Sequence, residues 1–335
     1  MNRVVSGIRP TGKLHIGNYF GALKNFISLQ DQADCFFFIA DYHALTTHPN
    51  SEELAKNKMH VLAEYLAMGL DPNKSVIYFQ SDVPEVAELY LLLNMHAYLG
   101  ELERVTTFKE KAKSQPDNIN AGLLTYPTLM AADILLHKAA RVPVGKDQEQ
   151  HLEMTRKFAN RFNHVYNTEF FPAPEAISLS GELVKVPGLS GGGKMSKSSG
   201  EADCIYLSDP ADLLRKKVLK AVTDSGPTEK NSPVTQPVQN LFDLMKLVSE
   251  PQVIDFYANA YAQTTIRYGD FKKQLAEDME RFVGPYREQI AFWLHNPDQL
   301  KQVAADGAKK ARISAQNTLN SVREIMGLST IYTLK

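Results

Sequence analysis

Cysteine is almost missing from this chain: its 335 residues include two, Cys35 and Cys204. Two thiols in a chain of this length exclude a disulfide framework and a thiolate metal cluster. Cys35 opens an apolar run and reads as core; Cys204 reads as an inert thiol. Net charge is missing too, since 37 basic and 38 acidic residues leave −1. No bulk basicity announces a nucleic-acid binder, so any RNA contact must rest on local patches. The longest apolar runs fall far short of a bilayer span. The opening residues, Met1-Asn2-Arg3-Val4-Val5-Ser6-Gly7, lack the apolar stretch of a signal peptide. The expectation is a cytoplasmic protein with no membrane contact. There is no internal repeat and no low-complexity tract. What remains is ordinary globular composition, 44% hydrophobic and 22% charged, in a length that suits two domains.

The first half alternates strand and helix signals. Strands are expected at Val4-Val5, Cys35–Ala40, Ser75–Phe79 and Ala140–Val144. Between them, Tyr19, Phe20, Leu23, Phe26 and Ile27 fall on one helical face. A second helix is expected after Ser51 as N-cap, and a third from Val83 to Leu99. Strands separated by helices imply a doubly wound parallel sheet, whose ligands bind beyond the strand carboxyl ends. His15, Asp41, His43 and Asp147 all lie at such ends. From Leu241 to Leu328 the pattern is helical, with breaks expected near Gly284-Pro285 and Asn296-Pro297.

Two motifs carry chemistry. Gly12-Lys13-Leu14-His15-Ile16-Gly17-Asn18 sits between the first strand and the first helix, where unpaired N–H groups favour an anion. Gly17 lets a nucleotide approach the backbone. Far downstream, Gly191-Gly192-Gly193 precedes Lys194-Met195-Ser196-Lys197-Ser198. Two lysines and interleaved hydroxyls on a glycine-hinged loop form a polyphosphate clamp. Taken singly, each motif reads equally well as a turn or a solvated basic loop. A third feature is Tyr126, Met130 and Asp133, spaced to share one helix face, with Pro127 at the helix start. That face could hold a flat ring bearing one N–H, or be a core stripe with a neutralised acid.

The two motifs, in this order, resemble the paired signatures of class I aminoacyl-tRNA synthetases: the "HIGH" element as His15-Ile16-Gly17-Asn18 and a complete "KMSKS" loop. Five further stretches resemble bacterial tryptophanyl-tRNA synthetases: Leu102-Glu103-Arg104, Phe108-Lys109-Glu110-Lys111, Tyr126–Asp133, Gly145–His151 and Ala221–Ser225. The resemblance implies an α/β fold, a Rossmann-like catalytic domain at 1–200 and an all-α anticodon-binding domain at 201–300. Residues 301–335 would pack back on the catalytic domain. The chain would activate L-tryptophan with ATP and Mg²⁺, then charge tRNA(Trp), as a homodimer.

The resemblance also implies residue roles. His15, Asn18, Lys111, Lys194 and Lys197 would act on the phosphates. Arg9, Pro10, Thr11, Gly17, Gly145, Lys146, Asp147, Val186, Met195, Ser196 and Ser198 would complete the ATP site. Asp133 would accept the indole N–H, and Met130 would line the ring pocket with Val5, Val142 and Val144. Tyr126 and Gln148 would hold the amino-acid head group, with His43 at the wall. Many members carry Thr at His15, Gln at Arg9 and an aromatic at Val5. Arg9 therefore adds a charge near the phosphates, Val5 leaves a smaller wall, and the three glycines suggest a more mobile loop. The nearest rival is a tyrosyl-tRNA synthetase. A non-catalytic RNA-binding relative would need neither signature, and a small-molecule adenylating enzyme would not need the helical C-terminal half.

Overall fold

Five short stretches rich in aromatic and β-branched residues pair side by side: β1 (Arg3–Ile8), β2 (Asp34–Ile39), β3 (Ser75–Phe79), β4 (Arg141–Pro143) and β5 (Glu175–Ile177). All pairings are parallel and the order is β3-β2-β1-β4-β5. The structure, a computed structural model, describes residues 2–114, 116–143, 145, 149–177 and 185–328. The expected site residues Val144, Lys146, Asp147 and Gln148 lie outside the described residues.

Alternation along β2 explains its uninterrupted apolar run. Cys35, Phe37 and Ile39 enter one buried cluster and Phe36 and Phe38 the other, so both sheet faces are covered. The first face meets α1 (Ile16–Leu29) and α2 (Ser51–Ala67). The second meets α3 (Glu85–Asn94), α5 (Ala121–Leu136) and α6 (Glu149–Val165), with α4 (Thr106–Ser114) packed against α5. The helical half comprises α7 (Ala211–Leu219), α8 (Gln236–Val248), α9 (Pro251–Ala262), α10 (Tyr268–His295) and α11 (Pro297–Ile325). Its core is continuous with the first sheet face, where Phe20 stacks on Phe282 at 5.3 Å. No helix among the described residues is long and apolar enough to cross a membrane.

Several local expectations are corrected. The helix after the first signature is not uniform: Tyr19–Leu23 is a π turn between α-helical ends. It brings Gly21 and Ala22 to the central cavity. The cap of α2 is Asn50 rather than Ser51, because its side chain accepts from Glu52 N and Glu53 N at 2.9 and 3.3 Å. Pro127 lies inside α5, which begins at Ala121 with Asn120 accepting from Leu123 N. α3 ends at Asn94, and Leu99–Leu102 forms a separate turn. Gly284-Pro285 leaves α10 unbroken. Interior prolines cost a helix about 3 kcal/mol, and full burial of neighbours such as Met279, Val283 and Ile290 offsets that. The Asn296-Pro297 break is present.

α11 returns to cover the exposed edge of β3, which blunts a strand otherwise open to pairing. The approach is so close that a Cβ on Gly307 would stand 1.8 Å from the Ile77 carbonyl oxygen. Gly307→Ala should therefore lower the unfolding free energy by about 1–3 kcal/mol in urea titration. Gly269→Ala, which meets open space, should change it by no more than about 0.5 kcal/mol. An unchanged midpoint for Gly307→Ala would refute the close packing.

Candidate active site

The strand order reverses between β1 and β4, where an open sheet of this kind leaves a crevice. A cavity of about 450 Å³ opens there, lined by the ends of both strands, from Val5 to Arg9 and at Val142, Pro143 and Gly145. His43, Lys111, Tyr126, Met130 and Asp133 complete it from the surrounding segments. The sequence-predicted ring face thus lines a real cavity.

At its floor, Asp133 is buried but well partnered. Its Oδ2 lies 2.8 Å from His43 Nε2, and Gln80 Nε2 donates to Oδ1 and Oδ2 at 2.8 and 3.0 Å. The Gln80 amide is oriented independently, because its Oε1 accepts from Tyr42 N at 3.0 Å. Burial pushes the Asp133 carboxyl up, and the contacts to His43 and Gln80 pull it back. An ionised carboxylate has about four acceptor sites. Three are used, and the one left on Oδ1 can take a donor from a bound ring.

Tyr126 is held from the other side by hydrogen bonds to Thr107 and His151, themselves 2.7 Å apart. The Lys111 ammonium lies 4.8 Å from the Tyr126 ring centroid. Burial first, then the charge of Arg9, lowers the Lys111 pKa to about 8. Gln80, Thr107 and His151 were not singled out as site residues. Gln80 follows the end of β3 directly, which is the one usable signal; Thr107 carries none. Asp41, expected in the crevice, instead forms a buried ion pair with Lys58 and accepts from Ser81 N at 2.9 Å.

The two signature loops are joined through backbone. Ile16 N donates to Ile205 O at 3.0 Å, Leu207 N to Leu14 O at 3.0 Å, and His15 bridges Tyr206. The second loop is a hairpin: Met195 N donates to Val186 O at 2.8 Å, and Pro187 bridges Lys194. Met195 and Val186 are buried, whereas Lys194 is exposed. Lys197 Nζ reaches across to Gly12 O at 3.0 Å and Thr11 O at 3.3 Å. Gly12 has φ +102°, a conformation that favours glycine. Ser196 and Ser198 hydrogen-bond each other at 2.8 Å. Pro10 is buried beneath this turn, and a Cβ on Gly17 would stand 2.8 Å from His15 Nδ1.

The triple glycine is tethered rather than loose at its crown. Asn240 Nδ2, on α8, donates to Gly192 O at 3.0 Å, and Gly188 N donates to Gly193 O at 3.1 Å. Asp203 Oδ1 accepts from Ser190 N and Oγ at 2.8 and 2.6 Å. Asn18 Oδ1 accepts from His15 N at 3.0 Å, closing the turn. Burial, then the Lys197 and Lys194 charges, hold the His15 imidazole down to about 4, so it is neutral near pH 7. Arg9, Lys111, Lys194 and Lys197 make the region strongly cationic, a field suited to a multiply charged anion. α7 and the residue after it carry a basic cluster, Arg215, Lys216, Lys217 and Lys220, of which Lys217 is buried and pairs with Asp209 Oδ2 at 2.7 Å. Tyr261 and Phe271, on α9 and α10, are core residues.

The comparisons agree with this geometry. The family model described as tRNA synthetases class I (W and Y) matches residues 1–284. The chain is 58% identical over 327 residues to the tryptophan–tRNA ligase of Porphyromonas gingivalis, covering 98% of this chain and 99% of that one. It is 43% identical to the enzyme of that name from Fusobacterium nucleatum, with 98% of each covered. The solved tryptophanyl-tRNA synthetase of Campylobacter jejuni, complexed with ADP and tryptophan, superposes with a TM-score of 0.87 at 38% identity, covering 97% of this chain and all of that one. A tyrosyl-tRNA synthetase from Aeropyrum pernix, at 18% identity and TM-score 0.64, shares the fold alone. A strand-reversal cavity with a buried acid at its floor, two interlocked signature loops and full-length likeness converge: the chain belongs to the class I tRNA synthetases, in their bacterial tryptophanyl branch.

Proposed function

We propose that the chain activates L-tryptophan with ATP and transfers it to tRNA(Trp), and that the cavity above Asp133 holds the indole. The observation that carries this is the one unused acceptor site on a buried, fixed carboxylate. An indole N–H would occupy it, whereas a phenyl ring would leave it desolvated and unpaired. Met130, Val5 and Val142, which line the cavity, would bound the ring, and Tyr126, on the same lining, would face the head group.

In the first step the tryptophan carboxylate attacks the α-phosphorus of ATP, and the bond to the β-phosphate oxygen breaks. The substrate supplies the nucleophile, so the protein positions the groups and stabilises charge. Neutral His15 and the Asn18 amide meet the phosphates from the first loop; Lys194 and Lys197 meet them from the second, with Lys111 and Arg9 at the cavity rim. Mg²⁺ would arrive with ATP as its counter-ion and supply charge neutralisation on the phosphates; among the described residues no cluster of three or more His, Cys, Asp or Glu could hold it as a resident ion. In the second step the 2′-hydroxyl of the terminal adenosine attacks the aminoacyl carbonyl, and AMP leaves. Residues 201–300 contact the anticodon stem-loop, and exposed Arg215, Lys216 and Lys220 offer phosphate contacts. The chain works as a homodimer in the cytoplasm. Exposed Leu91, Met95, Tyr98 and Leu99 supply an apolar patch for a second copy.

Amino-acid-dependent pyrophosphate exchange tests the assignment. Tryptophan alone among the twenty should support exchange. Asp133→Ala should lower kcat/KM for tryptophan by about 100-fold or more with the fold retained. Exchange driven by tyrosine instead would overturn the reading. For tRNA, Lys216→Glu with Lys220→Glu should weaken binding about tenfold at low salt, less at high salt; equal affinity would remove this helix from the interface. Sedimentation equilibrium should give two chains for the wild type and one for Met95→Glu, and a wild-type monomer would refute the dimer.

A further inference from the structure

Glu64 stands on α2, 0% exposed, and the scheme above makes no use of it. Both carboxylate oxygens face one backbone amide, Leu14 N, at 2.9 and 3.1 Å. Leu14 precedes His15 directly and follows Gly12 by two residues. The Gly12 carbonyl is where Lys197 Nζ rests at 3.0 Å. One buried acid therefore lies beneath the turn on which both signatures meet. His60, one helical turn earlier, places its Nε2 3.3 Å from Glu64 Oε1.

Packing does not account for an acid in this position, because a leucine would fill a similar volume without desolvating a charge. The electrostatic reach of Glu64 extends to the second loop. Burial pushes the Glu64 carboxyl up, and His60, the Leu14 amide and Lys197 pull it back; burial lowers the Lys197 ammonium in turn, and the Glu64 carboxylate raises it. We propose that Glu64 is a positioning residue of the nucleotide site: it fixes the Leu14 amide and supplies the counter-charge that parks Lys197 on the Gly12 carbonyl until a polyphosphate takes the lysine away. This rests on ATP as the substrate, but not on which amino acid is activated.

The parked lysine makes a specific energetic demand on binding. A triphosphate must draw Lys197 off its resting contacts. Removing the Glu64 charge lowers that demand. Glu64→Gln keeps an acceptor for Leu14 N and nearly the same shape.

The experiment is a double-mutant cycle on nucleotide affinity, read by titration calorimetry of the full chain with a non-hydrolysable ATP analogue and Mg²⁺. Glu64→Gln should tighten binding by about three- to tenfold, with tryptophan affinity unchanged within about twofold. In the Lys197→Ala background the same change should lose most of its effect. A purely structural role would shift both ligands together, or shift nucleotide affinity equally in both backgrounds; either result overturns the proposal, as does unchanged affinity for Glu64→Gln. If that variant does not fold, Glu64→Leu replaces it in the cycle, because loss of the Leu14 anchor cancels between the two backgrounds. Failure of wild-type exchange with tryptophan would refute the assigned function instead, and would leave the cycle interpretable.

Discussion

The ammonium of Lys197 on the Gly12 carbonyl joins residues 185 positions apart in the chain. A triphosphate can be gripped from two sides only if that distance is closed before the ligand arrives. Closing it late would charge the ordering of a long loop against each binding event. The fold closes it through covalent neighbours of the lysine rather than through the lysine itself. Buried Met195 anchors the hairpin, and residues 205–207 pair with residues 14–16. The side chain that must move is thus carried on backbone that need not.

The same division governs the Asp133 end of the cavity. Asp133, Gln80 and His43 come from three segments, and each restrains the next. Gln80 cannot flip without losing the Tyr42 amide. A carboxylate used for selection has to be dry enough to penalise a missing donor, yet partnered enough to persist without ligand. Gln80, fixed by the Tyr42 amide, and His43 together meet both requirements.

The features legible in the sequence were those written in local pattern. Short apolar runs predicted four of the five strands and missed β5, which is three residues long and largely exposed; the signature spacing singled out the two loops and the ring face. What escaped depends on partners distant in sequence. Pro127 and Gly284-Pro285 read as boundaries because local propensity disfavours them in helices; packing on both sides keeps α5 and α10 continuous. Lys217 reads as part of a basic face, yet Asp209 turns it inward. Asp41 reads as a crevice residue from its place at a strand end, and Lys58, on another helix, claims it. The π turn at Tyr19–Leu23 has no signature in the i, i+4 pattern, because that pattern survives on either side of it.

The cationic rim has a thermodynamic consequence. Arg9, Lys111, Lys194 and Lys197 share a small region, where Arg9 opposes the charges of Lys111 and Lys197 and Glu64 offsets that of Lys197. Burial first, and then the Arg9 charge, lower the Lys111 pKa. A neutral His15 avoids adding a further positive charge. Before ligand arrives, the folded state carries this repulsion as a cost. A polyphosphate cancels it, so part of the binding free energy is strain already stored in the site. Substituting neutral residues at the rim would relieve the repulsion and discard the affinity with it, which is why stability and nucleotide binding pull this loop pair in opposite directions.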